Sequence, residues 1–567
     1  MMASTALSRI GARIGAALRR VSPAARRVAR DNARLREQGL RRLAGFARSD
    51  AGPLFERALV DGQWDNANYW IRYALVSRAL GLSARDATGI MGQFSRARVE
   101  AAFSAFGIGR FADHDAHRRR RGDYMAGARR ILAGISAPGD LLSAEFPGGF
   151  PAALVYDGLL KRQRRASVDL ADPGLPGLLA GALSSIEKAD EIVDAARPGI
   201  VVMSHALDYT YGAFAWAATR RGIPSLALYG DYGVARFLRM RSPGDIFSYP
   251  LRPALAQDSA LGGAEAASLE RAGAAYLEAR LAGRTDDVGA IYAFGRRQGR
   301  LSREQLCARF EWDPAKPIVA VYAPNWFDYP HSSDRMPFRD FREWAEQVIA
   351  VAKAHDAVNW LFKAHPCDEW YGTIRGARLS DLVAASPVRH CAMADTSWNG
   401  TGLLRSIDAL TTFHGTAGLE AAFLGMPVLV PYAGWYGEFG FARACQGAQE
   451  YLTTLSTAWW SGHDAAISRR RAARFAGWYF CAPEWHRDYA FLDDANQDAI
   501  WWDLDRFLMT HHAQLEREAL LLREWAEAGD RYFHIFKMSR AEAYSPPVPR
   551  QSIVSDPRQR QKAGGVK

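Results

Sequence analysis

Residues Ile407 to Pro431 read IDALTTFHGTAGLEAAFLGMPVLVP, and the fold turns on how this stretch is parsed. A short apolar strand (407–413) meets a sharp turn at His414-Gly415-Thr416. A helix of small residues (417–424) follows, breaks at Gly425, and gives way to a second buried strand starting at Pro427. This is half of a βαβ unit, and its glycine-rich turn faces a helix N-terminus. Such a turn presents free backbone N–H groups and the positive end of a helix dipole, which suits an anion, above all a phosphate. Glu420 stands one helical turn in, where a carboxylate can accept hydrogen bonds from a ribose. The same letters also describe an ordinary strand–helix turn in which Glu420 complements the dipole. The neighbouring segments have to arbitrate.

They alternate in the same way. A strand (318–322) leads into the loop APNWFDYP with Asn325 and Asp328, then a helix (338–354). A second strand, NWLFK (359–363), ends in Lys363 and is followed by His365-Pro366. Three successive strand ends therefore carry polar residues: Asn325 and Asp328, Lys363 and His365, and His414 to Thr416. In an open parallel sheet, ligands bind beyond the carboxyl ends of the strands, so these groups share one edge. A cation, an imidazole and a phosphate-type turn together predict a nucleotide-diphosphate site.

The first half repeats the pattern more faintly. A β-branched strand (200–204) ends at His205, with Asp208 opening the next helix (209–220). The following strand (225–229) ends in Gly230-Asp231-Tyr232-Gly233. His205, Asp208 and Asp231 are the candidate bases on this side, each alternatively a hydrogen-bonded residue at a strand end. Residues 152–156 are expected to form a short strand, and 251–300 a helical connector rich in Ala and Arg.

A chain of 567 residues predicts two or three domains, and 17 Trp with an 11% aromatic content furnish large cores. The five cysteines are scattered without a CxxC pair, which excludes a disulfide framework and a structural zinc site of that type. The net charge of +11 belongs to the termini: the first 42 residues hold eleven Arg against Asp31 and Glu37. The long middle is close to neutral, so a nucleic-acid-binding body is not expected. Leu7, Ile10, Ile14, Leu18 and Val21 fall at helical spacing among arginines, which suggests docking on an anionic membrane surface, with a disordered basic arm or an Arg-rich transit peptide as the alternatives. No transmembrane run and no signal-peptide core are present in the sequence, so a cytoplasmic protein at the inner face of the membrane is expected. Asp503-Leu504-Asp505 matches a DxD metal motif in letters only, because its helical context sends the two carboxylates to different sides.

The second half resembles the bacterial capsule and surface-polysaccharide glycosyltransferases, the Kdo-transferase-like group, and is more distantly similar to CDP-glycerol glycerophosphotransferases. Four features carry the resemblance: Asn325-Trp326-Phe327-Asp328 after a strand; NWLFKAHP over 359–366; Asp408 with the GTxGxE turn (Gly415, Thr416, Gly418, Glu420) and GxPV (Gly425, Pro427); and the aromatic loop 432–440 leading to Glu450-Tyr451-Leu452. The match covers about 300 to 455. It departs where the family places Glu two residues after the His-Pro proline, since Asp368 stands there with Glu369 next.

The resemblance implies an α/β GT-B fold, two Rossmann-like parallel-sheet domains facing across a cleft, with a helical N-terminal arm and C-terminal helices. The expected organisation is a basic arm over 1–50, an acceptor domain with its connector over 51–299, and a donor domain over 300–500. Helices packing back (501–544) and a disordered tail (545–567) complete it. The implied activity is metal-independent sugar transfer from a nucleotide-sugar to a surface polysaccharide or glycolipid acceptor, with no cofactor beyond the donor itself. Donor contacts are expected from Asn325, Asp328, Lys363, His365, His414, Gly415, Thr416, Gly418 and Glu420, and catalysis from His365 with His205, Asp208 or Asp231. Alternatives are a CDP-polyol phosphotransferase, a nucleotide-sugar 2-epimerase, and a membrane-associated scaffold that keeps the fold without chemistry.

Overall fold

A computed structural model describes residues 23–63, 67–92, 96–114, 121–229, 236–249, 255–259, 261–284, 301–332, 336–366, 368, 372–385, 387–481 and 499–534. The basic segment 7–21 and Asp231 lie outside them. The chain divides into two compact units, one of Met1–Asp115 with Leu492–Gly529, the other of Ala116–Phe491 with Asp530–Lys567.

The first unit contains helix α1 (Pro23–Ala47), strand β1 (Ala58–Asp61), α2 (Ala67–Leu80), β2 (Ala87–Met91), α3 (Arg96–Ala105) and β3 (Arg110–Asp113). Its strands run parallel in the order β1-β2-β3. At four or five residues each, they are too short to show an alternation in the sequence. The long helix Ala499–Ala528 belongs here: Arg42 pairs with Asp505 at 2.6 Å and Arg78 with Glu516 at 2.7 Å. The DxD letters do fall inside that helix.

The second unit opens with α4 (Arg121–Ala133), α5 (Ala152–Gln163) and α6 (Leu175–Ala196). Residues 152–156, expected as a strand, begin α5 instead. The run AALVY is followed by DGLLKRQ, whose apolar positions continue at helical spacing, and short apolar runs do not distinguish the two structures. Strands β4 (Ile200–Met203) and β5 (Ser225–Tyr229) are parallel and joined by α7 (Asp208–Arg220). Two antiparallel strands extend this sheet, β6 (Arg236–Met240) and β13 (Tyr532–His534).

Next come α8 (Leu255–Ser259) and the connector helix α9 (Gly263–Leu281). The rest is α10 (Arg303–Phe310), β7 (Ile318–Tyr322), α11 (Phe341–Ala354), β8 (Asn359–Lys363), α12 (Leu379–Ala384), β9 (Cys391–Met393) and α13 (Gly400–Leu404). Then follow β10 (Ala409–Thr412), α14 (Thr416–Phe423), β11 (Val428–Val430), β12 (Arg443–Ala444), α15 (Ala448–Leu455) and α16 (Ala465–Phe480).

These last strands form a six-stranded, all-parallel sheet in the order β12-β11-β10-β7-β8-β9. Read from β9, this is the 3-2-1-4-5-6 order of dinucleotide-binding folds, and the strand order reverses between β7 and β10. The two parallel-dominated sheets with their helices make the α/β architecture that the sequence predicts.

Helix α11 shows how the sheet is covered. Asp340 caps it by accepting the Glu343 amide at 2.9 Å, and Phe341, Trp344, Ala345, Val348, Ile349 and Ala352 are buried at helical spacing. On the other side, α9 and α16 cross in backbone contact. A side chain at Gly273 would collide with the Ala473 carbonyl, and one at Gly477 with the Leu269 carbonyl. Glycine is what lets the two helices approach so closely.

Candidate functional site

The parallel register sets three strand ends level. Tyr322 pairs with Lys363 across β7 and β8, and with Thr412 across β7 and β10. The loops carrying Asn325, His365 and His414 to Thr416 therefore leave the sheet side by side, at the point where ligands bind in such sheets. Lys363 is 8% exposed, and its Nζ lies 4.7 Å from the centre of the Tyr322 ring. His365 and Asn325 are half-buried. The Asn325 Oδ1 atom is shielded from solvent and accepts no hydrogen bond among the described residues.

The turn after β10 is held from behind. The Trp435 indole donates to the His414 carbonyl at 2.7 Å, and the Tyr436 hydroxyl donates to the Gly415 carbonyl at 3.1 Å. With both carbonyls drawn back into the aromatic loop, the amides at the start of α14 point the other way. Gly415 caps the helix without a side chain, His414 to Ala417 are half-exposed, and no acceptor meets the Thr416 or Ala417 amide among the described residues. An unsatisfied first turn of this kind attracts anions. Gly418 has to be glycine because a Cβ would strike the Tyr436 hydroxyl.

The His414 ring lies 2.8 Å, through Nδ1, from the Tyr432 hydroxyl, which in turn lies 3.0 Å from that of Tyr249. Burial pushes its pKa down to about 4, so the imidazole is neutral at physiological pH and offers an anion a hydrogen bond rather than a charge.

Glu420 points into the protein. It is 4% exposed, and its Oε1 accepts from Arg280 Nε at 2.6 Å. Arg280, at the end of α9, is also 4% exposed. Sequence reasoning passed over this arginine as one of many in a helical connector, and its partner lies 140 positions away.

The groups predicted on the opposing side meet the second half differently. Helix α5 and the β7–α11 loop are joined by a row of polar bonds. Tyr156 donates to Asp340 Oδ2 at 2.7 Å, and Lys161 pairs with Asp328 Oδ1 at 2.6 Å. Asp157 takes the His331 backbone amide at 2.9 Å and lies 2.6 Å from its ring Nδ1. Asp157 is wholly buried and His331 7% exposed. Burial works against protonating His331, but the charge and hydrogen bond of Asp157 prevail and raise its pKa.

Asp208 joins the same row. Its Oδ1 accepts the Thr210 amide at 2.5 Å, and its Oδ2 lies 3.4 Å from the Tyr329 hydroxyl and 3.5 Å from Arg162. Asp208 and Tyr329 both adopt left-handed backbone, with φ of 51° and 55°. That conformation is strained for a tyrosine and clusters at functional sites. His205 is half-buried at the end of β4, with its ring 4.1 Å from that of Tyr211 and edge-on to it.

The expected donor residues leave the sheet at the β7–β10 crevice, apart from Asp328, which pairs with Lys161, and Glu420, which turns inward onto Arg280. Sequence reasoning missed the His331–Asp157 pair. A histidine just beyond a strand end, in DYPHSS, was the available signal, but its partner is 174 positions away.

No family model and no curated protein matches the sequence. Among solved structures, the chain is similar to the UDP-GlcNAc 2-epimerase of Neisseria meningitidis, with 10% identity over 79% of this chain and 98% of that one and a TM-score of 0.23. A putative UDP-N-acetylglucosamine 2-epimerase of Listeria monocytogenes gives 11%, 75% and 94%, and 0.27. The spinosyn rhamnosyltransferase SpnG gives 11%, 80% and 100%, and 0.23. With superpositions this loose, function has to be argued from the site.

Proposed function

We propose that the chain is a GT-B-type glycosyltransferase that binds a nucleotide-sugar at the β7–β10 crevice and passes the sugar to a surface polysaccharide or glycolipid acceptor. One observation carries the reading: the first-turn amides of α14 are turned outward, with the two preceding carbonyls tied back by Trp435 and Tyr436. They follow β10 at the point where the strand order reverses, with β7 between them and the end of β8 that carries Lys363. A diphosphate is the group that such a cradle suits.

In this mechanism the acceptor hydroxyl gives its proton to a base and attacks the anomeric carbon, and the bond from that carbon to the phosphate oxygen breaks. The nucleoside diphosphate leaves with the electron pair. The Thr416 and Ala417 amides, the α14 dipole, Lys363 and His365 stabilise the charge that develops there. This assigns leaving-group stabilisation to the protein rather than to a metal ion, so transfer is expected to persist in EDTA. Of the three candidate bases, His205 is preferred among the described residues, because the Asp208 carboxylate already serves Thr210, Tyr329 and Arg162. The basic N-terminal segment would dock the enzyme on anionic lipid at the inner face of the membrane. No helix among the described residues is long and apolar enough to cross one.

The test is a thermal-shift screen against CMP, CDP, UDP, GDP and their sugars, followed by product analysis with an acceptor. A selective shift and a transferred sugar support the reading. Polyol phosphate transfer from CDP-glycerol would replace it with the phosphotransferase, and absence of any nucleotide binding would remove it.

A further inference from the structure

The His414 ring ends a chain of two phenols. Its Nδ1 lies 2.8 Å from the Tyr432 hydroxyl, which lies 3.0 Å from the Tyr249 hydroxyl. Tyr249 follows β6 of the first sheet, whereas Tyr432 stands in the loop after β11. Both tyrosines are 8% exposed, so these bonds are made in a largely dry setting. Gly434 makes room for the chain. It adopts left-handed backbone with φ of 55°, and a Cβ there would lie 3.2 Å from the His414 Cβ and 3.7 Å from the Tyr249 hydroxyl.

Counting hydrogens leaves the chain two polarities. Each phenol has one O–H, and a neutral imidazole has one N–H. In the first, Tyr249 donates to Tyr432, Tyr432 donates to Nδ1, and the imidazole hydrogen stands on Nε2. In the second, Nδ1–H donates to Tyr432, Tyr432 donates to Tyr249, and Nε2 keeps a bare lone pair. The first is favoured, because an imidazole lone pair is a stronger acceptor than a phenol oxygen, whose electrons are drawn into its ring. Burial keeps His414 neutral, so the two nitrogens cannot both carry hydrogen, and the bond at one decides the other. Nε2 makes no hydrogen bond among the described residues, and His414 is half-buried rather than enclosed.

We propose that Tyr249 and Tyr432 are positioning residues that fix His414 as its Nε2–H tautomer, so that the imidazole opening the α14 turn offers a donor rather than a lone pair to an anion bound there. The anion's identity as the diphosphate of a nucleotide rests on the functional reading above, whereas the tautomer is a property of the free protein. The test begins without ligand. The full chain is made with isotope-labelled histidine, and the ring nitrogens are read by long-range proton–nitrogen correlation NMR. The His414 signals are those absent from His414→Gln. Nδ1 should resonate as an unprotonated nitrogen and Nε2 as a protonated one. Tyr432→Phe should draw the two signals toward each other as the tautomers mix, and Tyr249→Phe should do so more weakly. A protonated Nδ1 in wild type, or an unchanged spectrum in Tyr432→Phe, would overturn the relay.

Calorimetry then reads the consequence, with whichever of CDP, UDP or GDP gives the largest thermal shift. Tyr432→Phe should weaken binding by about two- to tenfold, the worth of one neutral hydrogen bond. In a His414→Gln background the same change should have no effect, because the glutamine amide offers its N–H unaided. An equal loss in both backgrounds would show that Tyr432 only packs the turn, and would overturn its role. Failure of wild type to bind any nucleotide would overturn the functional reading and the anion contact with it, while the ligand-free spectra judge the tautomer by themselves.

Discussion

The seam between α5 and the β7–α11 loop, and the crevice between β7 and β10, are built from the same residue types and behave in opposite ways. In the seam, Asp157, Asp208, Asp328 and Asp340 each have a positive or hydroxyl partner. At the crevice, the Thr416 and Ala417 amides, Asn325 Oδ1 and the Tyr322 hydroxyl have none among the described residues, while in the seam the far ring nitrogen of His331, Nε2, is also without one. Satisfied polar groups fix a structure, whereas unsatisfied ones raise the free energy of the empty protein and reserve it for binding. The difference separates a scaffold from a candidate site more sharply than residue identity does.

The contrast can be broken at its strongest point first. Asp157→Ala removes the carboxylate that keeps His331 protonated and leaves both its ring and its backbone amide without their acceptor, and should cost about 3–5 kcal/mol of stability, read from denaturant unfolding. A loss below about 1 kcal/mol would mean that the seam does not hold the loop. Lys363→Ala should instead leave the melting temperature close to wild type while weakening nucleoside diphosphate binding about tenfold or more by calorimetry. If stability fell and affinity did not, the lysine would belong to the scaffold.

Smaller effects sharpen the comparison. Tyr436→Phe frees the Gly415 carbonyl and should cost about 1 kcal/mol, with weaker anion binding by the turn. Unchanged affinity would show that the carbonyl tie does not orient the amides. The gentlest expectation concerns pH. His331 is raised above its unfolded value near 6.5, so its contribution is complete below that pH and is lost as pH climbs through its folded pKa. His414 is lowered to about 4, so stability falls as pH drops from 6.5 toward 4. Stability should therefore peak near pH 6.5. His331→Gln should flatten the alkaline side and His414→Gln the acid side, as measured by melting temperature across pH.

The sequence showed the second sheet well because its strands are continuous apolar runs bounded by turns. IVAVY, NWLFK and the stretch 407–413 give β7, β8 and β10 with edges within two residues. The glycine turn after β10 was equally legible, since its signal lies within seven consecutive residues. What the sequence hid was long-range. Arg280 resembles its neighbours in an Ala- and Arg-rich helix until Glu420 is placed against it, and Asp157 stands in a segment that reads equally as strand or helix. Glu420 itself was expected to face a ligand, but helical phase puts it on the buried side of α14, where a second residue decides what it can reach. Nothing in a single chain of letters announces a pairing across 140 or 174 positions.

The glycine crossing of α9 and α16 has a consequence for inheritance. Arg280 lies seven residues beyond Gly273, about 10 Å along the helix axis. Where two backbones touch, neither helix can slide or roll without the other, so the guanidinium is set by the crossing rather than by its own flexible stem. A mutation at codon 273 or 477 would alter no charge and touch no ligand, yet it would move the arginine away from Glu420. Loss-of-function alleles are thus expected at these two glycines, far along the helices from any group that does chemistry.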